Sequence, residues 1–141
     1  MKVREFMKPQ PMTASETDSI GNARQLMTTQ HIRHLPVVAG GRVVGMLSER
    51  DIFAARARAD GDTEWWRMPV RDAMHSPVHT AHPDDSLVEV AARLATFKIG
   101  ALPVVERGTL VGIITVTDVL DAEVREAMAP SPTATRTGYS T

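Results

Sequence analysis

Two segments of this chain carry the same chemically suggestive pattern, Gly45-Met46-Leu47-Ser48-Glu49-Arg50-Asp51 and Gly112-Ile113-Ile114-Thr115-Val116-Thr117-Asp118. Each sets a hydroxyl and a carboxylate three residues apart, behind an apolar run and ahead of a helical pattern, so both groups belong on the first turn of a helix. Two kinds of chemistry fit that placement. Ser/Thr-x-x-Asp is close to a capping box, whose side chains satisfy the free amides of a helix start and stabilise it by about 1 kcal/mol with no ligand at all. The same amides, with the positive end of the helix dipole, attract a phosphate, and a carboxylate accepts both hydroxyls of a ribose. The pattern leaves both open.

Other chemistry finds little footing. There is no glycine-rich phosphate loop, no G-x-S-x-G elbow and no H-E-x-x-H. His75, His79 and His82 cluster, but Pro77 and Pro83 interrupt them and no acidic ligand is placed by a motif, so they read as solvated or hydrogen-bonded histidines and no metal is expected. No paired acid and base or activated nucleophile is placed, and the expectation is a protein that is not an enzyme. Arg56, Arg58, Arg67 and Arg71 are interleaved with Asp60, Asp62, Glu64 and Asp72, which reads as a solvated face and not as a nucleic-acid surface.

The elements that must position the two motifs come in two copies. Leu35-Pro36-Val37-Val38 falls on Leu102-Pro103-Val104-Val105 at an offset of 67, and the same offset superposes Val3-Arg4 on Val70-Arg71, Met7 on Met74, Asp18-Ser19 on Asp85-Ser86, and Asp51 on Asp118. Val3–Ala55 shares eighteen identities with its partner segment, where average residue usage gives about three or four by chance. The spacing of apolar residues behind Ser19 and Ser86 predicts helices to about Gln30 and Phe97, with Ser86-x-x-Glu89 as a further capping box. Strands follow at Leu35–Val38 and Val43–Leu47, and at Leu102–Val105 and Leu110–Ile114, each pair joined by a glycine turn, with the prolines expected at strand starts. Second helices are predicted at about Glu49–Ala59 and Val116–Ala127, capped by Ser48 and Thr115.

Each copy is thus strand, helix, strand, strand, helix, an α/β (α+β) unit of about 55 residues, too small to bury a core alone. Two such β-α-β-β-α repeats should pack sheet to sheet with pseudo-twofold symmetry. The division expected is 1–59 and 70–128 for the repeats, 60–69 for a connector, and a disordered tail at 129–141. Trp65 and Trp66 in the connector either cover the core edge or anchor a second subunit.

Taken together, the paired Leu-Pro-Val-Val, the glycine turn, Val-Gly and Ser/Thr-x-x-Asp resemble a tandem pair of CBS domains, the module named after cystathionine β-synthase. The resemblance covers about Val3–Ala55 and Val70–Ala122. It implies a regulatory module that binds adenine nucleotides or related adenosyl compounds in the cleft between copies, and that commonly forms a homodimer. Residue by residue, it implies that Asp51 and Asp118 bind ribose while Ser48 and Thr115 approach ribose or phosphate. It further pairs Ser48 and Asp51 with Ile99, Gly100 and Ala101 of the other copy, and pairs Thr115 and Asp118 with Ile32, Arg33 and His34. Met12, Thr13, His79 and Thr80 are further candidate walls. On the charges of Arg33 and His34, the Asp118 site is expected to suit a polyphosphate and the Asp51 site a less charged adenosyl ligand. The alternative is a ligand-free dimerisation or protein-interaction module in which both motifs serve only as caps.

Composition narrows the setting. With no cysteine, a disulfide scaffold and a thiolate zinc site are excluded. Sixteen basic against 17 acidic residues give a net charge of −1 and no general field for nucleic acid or acidic lipid. No apolar run reaches the roughly 20 residues of a membrane helix, and Met1-Lys2-Val3-Arg4-Glu5-Phe6 has charges where a signal peptide is apolar, so a cytoplasmic location is expected. At 141 residues no length is left for an effector domain, and the regulated partner is expected to be a separate, unidentified protein.

Overall fold

The structure is a computed structural model and describes residues 1–76 and 78–130. In chain order it runs α1 (Val3–Phe6), β1 (Lys8–Pro9), β2 (Ala14–Ser15), α2 (Ile20–Gln30), β3 (His34–Ala39), β4 (Arg42–Ser48), α3 (Glu49–Arg58), two short 3-10 turns at Trp65–Arg67 and Val70–Asp72, α4 (Leu87–Phe97), β5 (Ala101–Glu106), β6 (Thr109–Thr115) and α5 (Val116–Met128). The two strand pairs and their flanking helices match the predicted positions to within two residues at either end. The tail expected at 129–141 falls almost entirely on 131–141, outside the described residues.

Each repeat builds one lobe around an antiparallel hairpin. β3 pairs with β4 from His34↔Ser48 to Ala39↔Arg42, and β5 with β6 from Ala101↔Thr115 to Glu106↔Thr109. Both hairpins shift register at the same point, between Val37 and Val38 and between Val104 and Val105. The two-residue turns put Gly40 and Gly41, and Arg107 and Gly108, at positive φ, the turn whose twist suits a hairpin. Pro36 and Pro103 stand third in their strands, not first: each lies one residue before the parallel neighbour joins, at Val37 beside Ala14 and at Val104 beside Ala81. Ser19 and Ser86 cap α2 and α4 as expected, but Ser86 Oγ accepts from the amides of Val88 and Glu89 without the reciprocal bond from Glu89.

The lobes exchange their first segments. Val3, fully buried, packs into the second lobe's core with Leu87, Val90, Leu102 and Ile114, while Val70, also fully buried, packs into the first lobe's core with Ile20, Leu35, Val37 and Leu47. Backbone bonds fix the crossing: the Val3 amide donates to the Asp85 carbonyl at 3.0 Å, and the Val70 amide to the Asp18 carbonyl at 2.7 Å. β1 then adds to the edge of β6, with Lys8 opposite Ile113, and His75 makes the equivalent bridge to Met46 on β4. Burying one valine is worth about 1.5–3 kcal/mol, so each lobe's stability depends on a residue from the other repeat. Met46, Ala101 and Ile113 close a third apolar cluster between the two sheets.

In the connector, Trp65 packs on the first lobe's core, while Trp66 stays 44% exposed, its Cβ set over Gly21 where an added Cβ would come within 3.2 Å. Arg56 and Arg67 stack over the Trp65 and Trp66 rings at 5.4 and 5.1 Å. No described helix is long and apolar enough to cross a membrane.

Candidate functional site

Both motif aspartates form complete capping boxes. The Ser48 amide donates to Asp51 Oδ2 at 2.8 Å and the Asp51 amide donates to Ser48 Oγ at 3.1 Å. In the second repeat the Thr115 amide donates to Asp118 Oδ2 at 2.9 Å, the Asp118 amide to Thr115 Oγ1 at 3.2 Å, and the Thr115 hydroxyl itself to Asp118 Oδ2 at 2.9 Å. The two carboxylates are the buried charged side chains of the described core, 5% and 6% exposed. One oxygen of each is spent on its helix. The other, Oδ1, faces away from the cap and meets a residue of the crossing segments: His75 Nδ1 at 2.7 Å from Asp51, and Lys8 Nζ in an ion pair with Asp118.

A cavity of about 810 Å³ opens beside Asp51, within the range of small-molecule sites. Ser48 and Asp51 form one wall, and Ile99, Gly100 and Ala101 of the other repeat form the facing one, the pairing expected for this site. Arg33 and His34, expected to serve Asp118, line this same cavity. The reason is local: β3 begins at His34, directly opposite Ser48, and the Glu49 amide donates to the Arg33 carbonyl at 3.0 Å. His34 also leans over Gly100, where an added Cβ would stand 2.8 Å from its Nε2. Burial lowers the His34 pKa below its ordinary 6.5, with Arg33 and Arg50 acting in the same direction and the Asp51 carboxylate opposing them. Its ring is therefore held toward the neutral form.

The remaining expected residues are dispersed. Ile32 packs against the first lobe's core. Thr13 and Met12 are exposed ahead of β2, and Thr80 offers its carbonyl to Arg93 Nη2 at 2.6 Å; none of the three lines the Asp51 cavity. Thr115 and Asp118 stand on the second helix start, with Lys8 against them. His79 lines the cavity, stacked on Phe97 with ring centroids 4.0 Å apart and planes 8° from parallel. The three clustered histidines meet different partners: His75 meets Asp51, His79 meets Phe97, and His82 lies beside Asp84 and Glu106, where Arg4 already pairs with both carboxylates.

Sequence reasoning missed Phe97, Lys98, Arg50 and His75 in this cavity. A signal existed for His75, because at the 67-residue offset it is the counterpart of Lys8, and both follow the paired methionines Met7 and Met74. With Arg33, Arg50 and Lys98 among its lining residues beside Asp51 and Glu49, the cavity offers cations for an anionic group and one carboxylate oxygen for hydroxyl donors.

Comparison with known proteins places the chain among relatives of one kind. The family model described as CBS domain matches residues 3–58 and 70–125. The chain is 34% identical over 116 residues to the CBS domain-containing protein YhcV of Bacillus subtilis, covering 82% of this chain and 81% of that one. Several longer curated relatives also match, and the chain spans only 20% to 31% of their length. Its backbone is similar to the CBS domain pair of protein MJ0100 in complex with 5-methylthioadenosine and S-adenosyl-L-methionine (TM-score 0.81, 28% identity, 89% of this chain and 98% of that one). It is also similar to CBSX2 in complex with AMP (TM-score 0.78, 25% identity, 89% and 98%).

Proposed function

The chain belongs to the CBS-domain family as a tandem pair of these domains, and from that premise we propose that it is a regulatory module sensing an adenosine-containing ligand, of the AMP, ADP or ATP class, in the cavity at Asp51. The observation that carries this reading is the division of labour within one buried carboxylate. Asp51 Oδ2 holds the helix start while Oδ1 faces the cavity, so capping and ligand binding use different oxygens and do not compete. A ribose donates its hydroxyls to Oδ1. Its phosphates meet Arg33, Arg50 and Lys98, which makes this cavity, and not the Asp118 side, the better one for a polyphosphate. The adenosyl ligands of MJ0100 and CBSX2 support the ligand class.

Sensing follows from who supplies the walls. Ser48 and Asp51 come from one repeat and Ile99, Gly100 and Lys98 from the other, so a ligand touching both favours the arrangement of lobes in which both walls reach it, by its difference in affinity for the two arrangements. The readout passes to a separate effector protein, and to a second copy of this chain through α5, where Val116, Leu120, Val124 and Met128 form an exposed apolar row at four-residue intervals. The completeness of both capping boxes, each made from the chain's own groups, is the observation that favours the second reading, a ligand-free interaction module. Calorimetry and thermal shift with AMP, ADP, ATP, S-adenosylmethionine and NADH decide between them. Saturable binding of an adenosyl compound, with stabilisation near 2.7 kcal/mol at one hundred times Kd, supports the first; no response to any of the five supports the second.

A further inference from the structure

We propose that two repeat-equivalent residues, Lys8 and His75, select which aspartate is open to ligand: Lys8 occupies Asp118 and keeps it closed, whereas His75 guards Asp51 and yields to ligand. The inference rests on the adenosyl-binding reading above and adds to it a stoichiometry, one ligand per chain, and the residues that set it.

Once each Oδ2 is committed to its cap, Oδ1 is the acceptor left for a sugar, and in both repeats it already has a partner. These partners arrive by the same route. Lys8 follows Met7 and His75 follows Met74, and the two methionine sulfurs press on Gly112 and Gly45, where an added Cβ would lie 2.6 and 2.5 Å away. The backbones are then pinned to the sheet edges, His75 by reciprocal bonds with Met46 at 2.9 and 3.1 Å and Lys8 by its register with Ile113. Neither backbone is free to withdraw, so release of a carboxylate requires the side chain alone to turn away.

The two side chains differ in what that release costs. A lysine ammonium is a compact charge with three donors, and stripping it from a buried carboxylate leaves an uncompensated charge. Asp118 is also bonded by the Thr115 hydroxyl, a donor that Ser48 does not direct at Asp51. The His75 ring meets Asp51 through one nitrogen, a single hydrogen bond of the kind a ribose hydroxyl replaces. His75 is 75% exposed at its side chain, with open space to swing into. The charged and titratable groups facing the Asp51–His75 pair are Arg33 just ahead of β3 and His34 at its start, Glu49 and Arg50 from α3, His79 from the second crossing, and Lys98 from the end of α4. With charged groups reaching the pair from every element packed against it, side-chain exchange is a cleaner test than a pH series.

The experiment is calorimetry of the full chain with AMP and, as an uncharged probe of the sugar contact, adenosine. The wild-type chain should take one AMP. Lys8→Met, which keeps the apolar stem of a side chain 61% exposed, should add a second binding event, lost again in Lys8→Met with Asp118→Asn. His75→Lys should weaken both probes at least tenfold, and His75→Ala should tighten adenosine. Two equivalent sites in the wild type, or a Lys8→Met variant with unchanged or weaker AMP binding, overturns the selection while leaving the adenosyl reading in place. Failure of every variant to bind either probe overturns that reading itself. Melting curves confirm that each variant is folded.

Discussion

Replacing Asp51 by asparagine separates the two jobs of its carboxylate. The amide oxygen of asparagine still accepts from the Ser48 amide, which Asp51 Oδ2 now bonds at 2.8 Å, so the cap survives; the negative charge at the helix start is lost, along with the acceptor for the exposed His75 ring. That charge is worth about 0.3–1 kcal/mol, a fall in Tm of about 1–5 °C for a domain of this size. The loss on the ligand side is larger. Hydrogen bonds to a charged acceptor contribute about 1.5–3 kcal/mol against about 0.5–1.5 for neutral ones. With the amide oxygen held at the cap, the ligand-facing atom becomes an NH2 that cannot accept, so the two ribose hydroxyls lose at least about 2–3 kcal/mol, or at least about 30- to 150-fold in Kd. Ser48→Ala makes the converse cut. It removes the acceptor of the Asp51 amide, bonded at 3.1 Å, at a cost of about 1 kcal/mol, and leaves the carboxylate in place, so Kd should move by no more than about threefold, within about 0.7 kcal/mol. Calorimetry with AMP and melting curves on the two variants read both quantities. If Asp51→Asn binds AMP as the wild type does, or if Ser48→Ala loses binding as fully as Asp51→Asn, the assignment of Oδ2 to the helix and Oδ1 to the sugar is wrong.

Gly100→Leu places its first carbon against the His34 ring, 2.8 Å from Nε2. A side-chain tip can rotate away, but only into the cavity, so AMP binding should be lost with Tm nearly unchanged, and retention of binding would show that the ligand sits elsewhere. Gly45→Ala and Gly112→Ala meet backbone as well as methionine, the His75 carbonyl at 2.9 Å and the Lys8 carbonyl at 3.0 Å. Each should destabilise by about 1–3 kcal/mol in urea titrations; a neutral outcome at either would mean that the crossing segments are not held as described. His34, whose pKa burial holds below its ordinary 6.5, should make stability fall with acidity. The unfolded chain takes up its proton first, so the contribution is complete above pH 6.5 and declines as pH falls from there toward the lower folded value. His34→Gln should reduce the drop in urea midpoint between pH 7.5 and 5.5, and an unchanged drop would remove His34 as its source.

The elements were legible because the chain states them twice. Ser48 and Thr115, Gly41 and Gly108, and the two Leu-Pro-Val-Val runs each repeat a local rule, capping, turn or buried strand, that acts within a few residues. The exchange of first segments was not legible. Val3 aligns with Val70 whichever lobe receives it, and periodicity says that a residue is buried without saying against what. The placement of Arg33 and His34 was lost for a related reason. Beginning β3 at His34, one residue earlier than expected, sets it directly opposite Ser48 and carries both side chains to the cavity of their own repeat. Phe97 and Lys98 were passed over as the end of a helix, although the left-handed turn at Lys98 is what directs the chain back into that cavity.

The same exchange explains why capping and ligand binding need not be rivals at one motif. A helix start that only needed a cap would be served by any acceptor, and its second oxygen would be satisfied by water. Here the second oxygen lies where a segment from the opposite repeat passes, and the residue carried there differs between copies, histidine in one and lysine in the other. Duplication made the two sites alike in framework, in their Gly-x-x-Ser/Thr-x-x-Asp and in the methionine that seats the crossing. Divergence at one position on each crossing then acts directly on the partner repeat's aspartate, with nothing to relay it. A single substitution in such a pair can open or close a site without touching the lobe that forms it, which lets one framework become a one-site or a two-site sensor while its core stays the same.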